Sequence, residues 1–101
     1  MGGNNFMNAN EVVLKFDPTL SNLAGYDFGL KIYEEQVKGK IDLSEGFTIV
    51  FPKNIVGVAA SFVQGFFSDI IKTLGLLSTK DKVSIIAVDN QLSEAIKKKI
   101  D

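Results

Sequence analysis

The chain has 101 residues and a net charge of −1, and 46% of its residues are hydrophobic, enough for one core without disulfides. It contains no histidine, cysteine or arginine, so all 11 basic residues are lysines. These absences remove the usual general base, the thiolate nucleophile and the guanidinium that grips phosphates and base edges. The composition therefore argues against an enzyme, a metal or cofactor site, and nucleic-acid binding.

The sequence also argues against contact with a membrane. Its first ten residues lack the charged segment and apolar run that make up a signal peptide. The most apolar stretch, residues 55–67, is too short to span a bilayer. We expect residues 1–10 to be a flexible N-terminus or an edge strand near Phe6 and Met7. We expect residues 11–101 to form one cytoplasmic domain.

The first half of the domain predicts a strand followed by a helix. Residues 11–16 are rich in β-branched and apolar types and predict a strand, which Pro18 ends. Ser21 or Asn22 is suited to capping a helix over residues 23–38. Four side chains of this helix share one face: Tyr26, Leu30, Tyr33 and Val37. Gly39 then ends the helix, and residues 41–46 form a polar connector.

The middle of the chain predicts a second strand and helix. Residues 47–51 predict a buried strand that Pro52 ends, and a helix starts at Ser61. Ser61 and Gln64 match the capping box, in which the serine hydroxyl caps the helix. Gly65 costs about 1 kcal/mol inside a helix relative to alanine, which is tolerable where another backbone passes close by.

The helix after Ser61 carries an unusually wide apolar surface. Its apolar side chains span about 180° of the helix circumference, against about 100° for a helix lying on a core. They are Phe62, Val63, Phe66, Phe67, Ile70, Ile71 and Leu74. Two explanations stay open: neighbouring elements cover the excess, or an exposed rim serves a partner or a second copy of the chain.

The last third predicts a loop, a strand and a helix. Residues 76–82 are expected to form the loop, and the apolar run over residues 82–89 is typical of an interior strand covered on both faces. Asp89 or Asn90 is suited to capping a final helix. Three apolar side chains of that helix recur every fourth residue: Leu92, Ile96 and Ile100. The alternating order predicts an α/β domain with a largely parallel interior.

The strand FTIVF (residues 47–51), a loop, and Ala60-Ser61-Phe62 opening an amphipathic helix resemble the STAS superfamily. This superfamily includes the anti-sigma factor antagonists, and the chain looks most like a bacterial STAS-like family of unknown function. In that family a helix with an internal glycine precedes the strand, and Gly29 matches it. The resemblance implies a single STAS-like domain with a mixed sheet of about four strands and about three helices.

The resemblance also implies where the chain meets other molecules. In the antagonists a serine at the start of the helix is phosphorylated by a partner kinase, and Ser61 is the matching position. The implied partner-binding or phosphorylation site comprises Ser61, Phe62, Gln64, Asn54 and Lys53. Whether Ser61 acts as a structural helix cap or as a phosphate acceptor stays open at this point.

We therefore expect a non-enzymatic regulatory module that binds a protein partner, such as a histidine-kinase-like ATPase or an anti-sigma factor. Two alternatives stay open. One is a domain that binds a small ligand, a nucleotide or a lipid, near residues 54–61. The other is a homo-oligomeric structural subunit that buries its apolar helix surface against a second copy of the chain.

Overall fold

A computed structural model describes residues 10–101, and these residues form an α/β fold. The strands are β1 (Glu11–Val13), β2 (Asn22–Leu23), β3 (Phe47–Val50), β4 (Gly57–Val58) and β5 (Val83–Ile86). The helices are α1 (Tyr26–Gln36), α2 (Ala60–Leu74), α3 (Leu76–Lys82) and α4 (Asn90–Lys98). The edge strand expected near Phe6 and Met7 lies outside the described residues.

The strands form two parallel sheets. The larger sheet has the order β1-β3-β5, and the smaller one pairs β2 with β4. The predicted parallel interior is confirmed. The prediction of one mixed sheet with about three helices is wrong for the described residues, because every strand pair there is parallel and four helices are present. In these residues the chain returns to the sheet through a crossover each time, which makes neighbouring strands parallel.

Helix α1 begins later than predicted. Ser21 and Asn22 do not cap it, because Asn22 and Leu23 are extended and pair with β4. Gly25 then turns the chain with a φ of 102°, a conformation that favours glycine, and the helix follows. On the predicted apolar face, Tyr33 and Val37 are buried, whereas Tyr26 is 47% exposed.

The predicted loop over residues 76–82 is wrong, since these residues form helix α3. Gly75, with a φ of 84°, interrupts the helical backbone for one residue between α2 and α3. The hydroxyl of the buried Thr79 donates a hydrogen bond to the Gly75 carbonyl at 2.8 Å, which stabilises the start of α3. The leucines and lysines of this stretch favour a helix once the glycine is passed.

Strand β5 is not the interior strand that its apolar run predicted. It lies at an edge of the described sheet, and β3 occupies the centre. One face of β5 is open, with Ile86 51% exposed. The prediction for the following helix is confirmed: Asp89 caps α4 by accepting a hydrogen bond from the Leu92 N–H at 2.8 Å, and Ile96 is fully buried.

Helices α1 and α2 cross with their backbones in direct contact at two glycines. A Cβ on Gly65 would collide with the Tyr26 carbonyl oxygen, and one on Gly29 would collide with the Phe62 carbonyl oxygen. Another backbone therefore does pass close to Gly65, which is the condition under which a glycine inside a helix is tolerable. Because the two helices approach so closely, α2 packs deep in the core. Its buried apolar side chains are Phe62, Val63, Phe66, Phe67 and Ile70.

The partly buried Ile71 and Leu74 pack against the same core. Of the two explanations for the wide apolar surface, the first is therefore confirmed: neighbouring elements cover it. Among the described residues, each apolar side chain of this surface is buried or partly buried, so none of them forms a fully exposed rim.

Candidate functional site

Ser61 lies in the first turn of α2, and its hydroxyl reaches the start of α1. The helix begins at Ala60 with Ala59 as its N-cap residue, so the prediction that Ser61 caps it is wrong. The backbone N–H of Ala59 donates to the Leu23 carbonyl at 2.8 Å, which keeps Ala59 extended and starts the helix directly after it. The Ser61 Oγ instead accepts a hydrogen bond from the Gly25 N–H at 2.9 Å.

The small parallel sheet sets the starts of two helices side by side. Strand β2 leads into α1 and β4 leads into α2, and the two strands pair residue for residue. No side-chain hydrogen bond comes from the N-cap residue of either helix, Gly25 or Ala59. The positive ends of two helix dipoles therefore lie near the exposed Ser61, where they favour negatively charged groups.

The two predicted neighbours of Ser61 on α2 differ in exposure. Gln64 is exposed and can contact a partner. Phe62 is fully buried, with its ring centroid 5.5 Å from that of Phe28 and 6.3 Å from that of Phe16. Phe62 is therefore a core residue, and its prediction as a partner contact is wrong, because its side chain has no accessible surface to offer.

The two predicted residues at the end of β3 also serve different roles. Asn54 is partly buried and donates a hydrogen bond to the Leu20 carbonyl at 2.7 Å, which ties the segment after β3 to the turn after β1. In that turn Thr19 donates to Asp17, and these hydrogen bonds lower the pKa of the Asp17 carboxyl. Lys53 is exposed. No hydrogen bond among the described residues joins Asn54 to Ser61.

An open cleft of about 270 Å³ lies beside the start of α4. Its lining residues are Val56, Asp89, Gln91, Leu92 and Ala95, and none of the five predicted site residues is among them. The cleft is slightly smaller than the usual range of ligand pockets, which begins at about 300 Å³. Within residues 10–101 no cluster of three or more acidic side chains is arranged to hold a metal ion.

Sequence reasoning missed two residues that shape this region. Gly25 supplies the N–H that Ser61 binds, and a glycine directly before a helical pattern was the available signal. Lys99 donates from its Nζ to the Val58 carbonyl at 2.8 Å, linking the end of α4 to the strand that precedes α2. Lys99 and Val58 are 41 positions apart, and no sequence pattern indicates that they are in contact.

Comparison with protein-family models, with curated proteins and with solved structures finds no match to this chain. Among the described residues, no helix has both the length and the apolar character needed to cross a membrane. The STAS-like resemblance thus stays a prediction that rests on the residues quoted for it.

Proposed function

We propose that this chain is a non-enzymatic, cytoplasmic STAS-like module that binds a protein partner through the Ser61 surface, defined as Gly25, Ser61 and Gln64. The supporting observation is the exposed Ser61 hydroxyl at the meeting point of two helix starts that lack side-chain caps. The exposed Gln64, one turn further along α2, adds an amide that can both donate and accept hydrogen bonds.

The chemistry of this surface suits a partner that presents oxygen acceptors. Backbone N–H groups at a helix start favour carboxylates, carbonyls and phosphates. A protein partner of the kinase-like ATPase or anti-sigma factor type would then contribute an acidic or carbonyl-rich segment. A phosphate on Ser61 would add about −1.5 to −2 charge, bind these N–H groups itself and repel such a segment.

Binding measurements with paired variants test the proposal. The binding partner in this test is a purified protein of the histidine-kinase-like ATPase or anti-sigma factor class. We expect Gln64→Ala to weaken binding about fivefold, roughly 1 kcal/mol, and Ser61→Asp to weaken it about tenfold or more through like-charge repulsion. Gln91→Ala changes an exposed glutamine near the start of α4 and is the matched control, expected to bind like the wild type.

A second measurement addresses modification of Ser61 directly. Incubating the chain with the partner ATPase and ATP, followed by mass spectrometry, is expected to find one phosphate on Ser61. Unchanged binding by both Gln64→Ala and Ser61→Asp would overturn the proposed surface. Phosphate on another residue would overturn the assigned acceptor while leaving the binding role intact.

Small-ligand binding remains the second candidate function, and the cleft beside α4 is the observation that favours it. Two of its lining side chains, Asp89 and Gln91, are polar and exposed. Thermal-shift screening with nucleotides and acyl ligands tests this candidate, since a bound ligand raises the midpoint of unfolding. A shift that Gln91→Ala abolishes would assign the ligand to this cleft.

A further inference from the structure

Among residues 10–101, no element covers one face of the larger sheet. The strand register places Val13, Val50 and Ile86 side by side in a row across all three strands. Val13 is 55% exposed and Ile86 is 51% exposed, while Val50 between them is half-buried. Parallel sheets occur almost only with both faces covered. We call this surface the open face and these three residues its aliphatic row.

The charges beside the aliphatic row make the open face complementary to itself. Glu11 lies on β1 on the same side as Val13, because side chains alternate along a strand. The pairing continues past β1, where the Leu14 N–H donates to the Val50 carbonyl at 2.8 Å. Leu14 is buried and Lys15 is exposed, so the alternation places Lys15 on the side of Val13 as well. Glu11 precedes Val13 by two residues and Lys15 follows it by two, which places each charge roughly 7 Å from Val13 along the strand. The negative and positive charges are therefore equally spaced about the row.

Consider a second copy related to the first by a two-fold axis that runs parallel to the aliphatic row, between the two open faces. This rotation reverses the strand direction, so the negative end of β1 in one copy lies opposite the positive end in the other. The row of one copy then packs on the row of the other, and Glu11 of one copy faces Lys15 of the other at both ends of the pair. The register places Thr48 on β3 and Ser84 on β5 level with Glu11, and both are uncharged. Among the open-face side chains that the register places, this arrangement therefore brings no like charges together.

We propose that the open face is the interface of a homodimer with its two-fold axis along the aliphatic row. A second copy of this chain is the occupant, and the sheets of the two copies pack face to face at the usual separation of about 10 Å. The interface uses β1, β3 and β5, whereas the Ser61 surface lies at the starts of α1 and α2. The two surfaces are therefore separate, and a result that refutes the dimer leaves the proposed function unaffected.

Sedimentation velocity with one variant and its control tests the interface. We expect the wild-type chain to sediment as a dimer and Ile86→Asp to sediment as a folded monomer, because it places a carboxylate in the aliphatic row. Leu77→Asp introduces the same charge at a residue of α3 that is 82% exposed, and we expect it to remain dimeric. A monomeric wild type, or a dimer that survives Ile86→Asp, would overturn the proposal.

Charge exchange tests the orientation of the two copies. Glu11→Lys and Lys15→Glu each place like charges opposite one another, so each is expected to weaken the dimer about tenfold or more. The double variant Glu11→Lys/Lys15→Glu restores opposite pairing and is expected to return dimer affinity to within about threefold of the wild type. Single variants without effect, or a double variant as weak as the singles together, would refute the two-fold arrangement.

Discussion

Apolar side chains are covered where α1 crosses α2, whereas they stay exposed on the open face of the sheet. Helix α2 has the densest apolar surface in the sequence, yet the crossing and the core cover it. The open face carries only a few aliphatic side chains, and two of them are about half exposed. Apolar density alone therefore does not locate an interaction surface; the arrangement of neighbouring elements decides what stays uncovered.

Two glycines explain why α1 and α2 pack so closely where they cross. Gly29 and Gly65 each lie against the backbone of the opposite helix, so the helices approach as closely as their main chains allow. Such an approach also brings Cα–H groups to carbonyl oxygens, a weak but favourable contact. No corresponding element reaches the open face among the described residues, where Val13 and Ile86 stay accessible.

The largest predicted effect comes from filling the crossing. We expect Gly65→Ala and Gly29→Ala each to lower the free energy of unfolding by about 3 kcal/mol or more, because the added methyl meets backbone atoms that cannot turn aside. Helix propensity alone predicts the opposite, a gain of about 1 kcal/mol. Urea unfolding followed by circular dichroism measures the sign.

Gly46→Ala is the control for this prediction. A Cβ there lies 3.6 Å from the Lys82 carbonyl oxygen, an ordinary contact, and we expect a change of less than about 1 kcal/mol. A stabilised Gly65→Ala variant would mean that the two helices are further apart than described.

The second prediction compares two isoleucines on opposite faces of the sheet. Ile49 on β3 is fully buried, and Ile49→Ala is expected to lower the free energy of unfolding by about 2–5 kcal/mol. Ile86 lies on the open face, and Ile86→Ala is expected to cost about 1 kcal/mol or less in dilute solution. Chemical unfolding at low and high protein concentration measures both.

Concentration sharpens this comparison. If the open face pairs with a second copy, the cost of Ile86→Ala grows as the protein concentration rises, because the wild type gains stability from association. The cost of Ile49→Ala should change less, since its side chain packs inside one copy. Equal behaviour of the two variants at both concentrations would contradict the difference between the faces.

The sequence predicted the elements that have strong local signals. Residues 47–51 contain β-branched and aromatic types with a proline behind them, and β3 forms there. Asp89 has the side chain of a helix cap, and it caps α4. The two-residue strands β2 and β4 escaped prediction because their stability comes from pairing with each other across 35 positions, which no local pattern records.

The candidate site shows the same limit more clearly. The sequence pointed to Ser61 and Gln64, and both are exposed. It could not show that the Ser61 hydroxyl binds Gly25, because that contact depends on how β2 and β4 place the helix starts. Phe62 follows Ser61 directly in the sequence, but a helix turns by about 100° per residue, so the two side chains point in different directions.

The smallest predicted effect concerns the loop of residues 41–46, which leads into β3 of the larger sheet. Asn10 donates to the Asp42 carbonyl at 2.7 Å and accepts from the Asp42 N–H at 2.9 Å, which ties this loop to the residue before β1. The Ser44 hydroxyl and N–H both donate to the Asp42 carboxylate, and they lower its pKa from an ordinary value of 3.8, with a smaller contribution from the charge of Lys82.

A lowered pKa in the folded state means that folding favours the ionised carboxylate. The stabilisation is therefore present above about pH 4 and is lost as the pH falls through the folded-state pKa. Asp42→Asn keeps a side-chain oxygen for the Ser44 N–H but removes the charge, so we expect it to lack at pH 7 the stabilisation that the wild type loses in acid. Its stability should therefore decline less steeply below pH 4. Thermal unfolding from pH 2 to 7 measures this, with Asp81→Asn as a control that removes the same charge at another exposed position. An equally flattened profile for Asp81→Asn would show that net charge, and not the Ser44 hydrogen bonds, governs the acid response of this sheet.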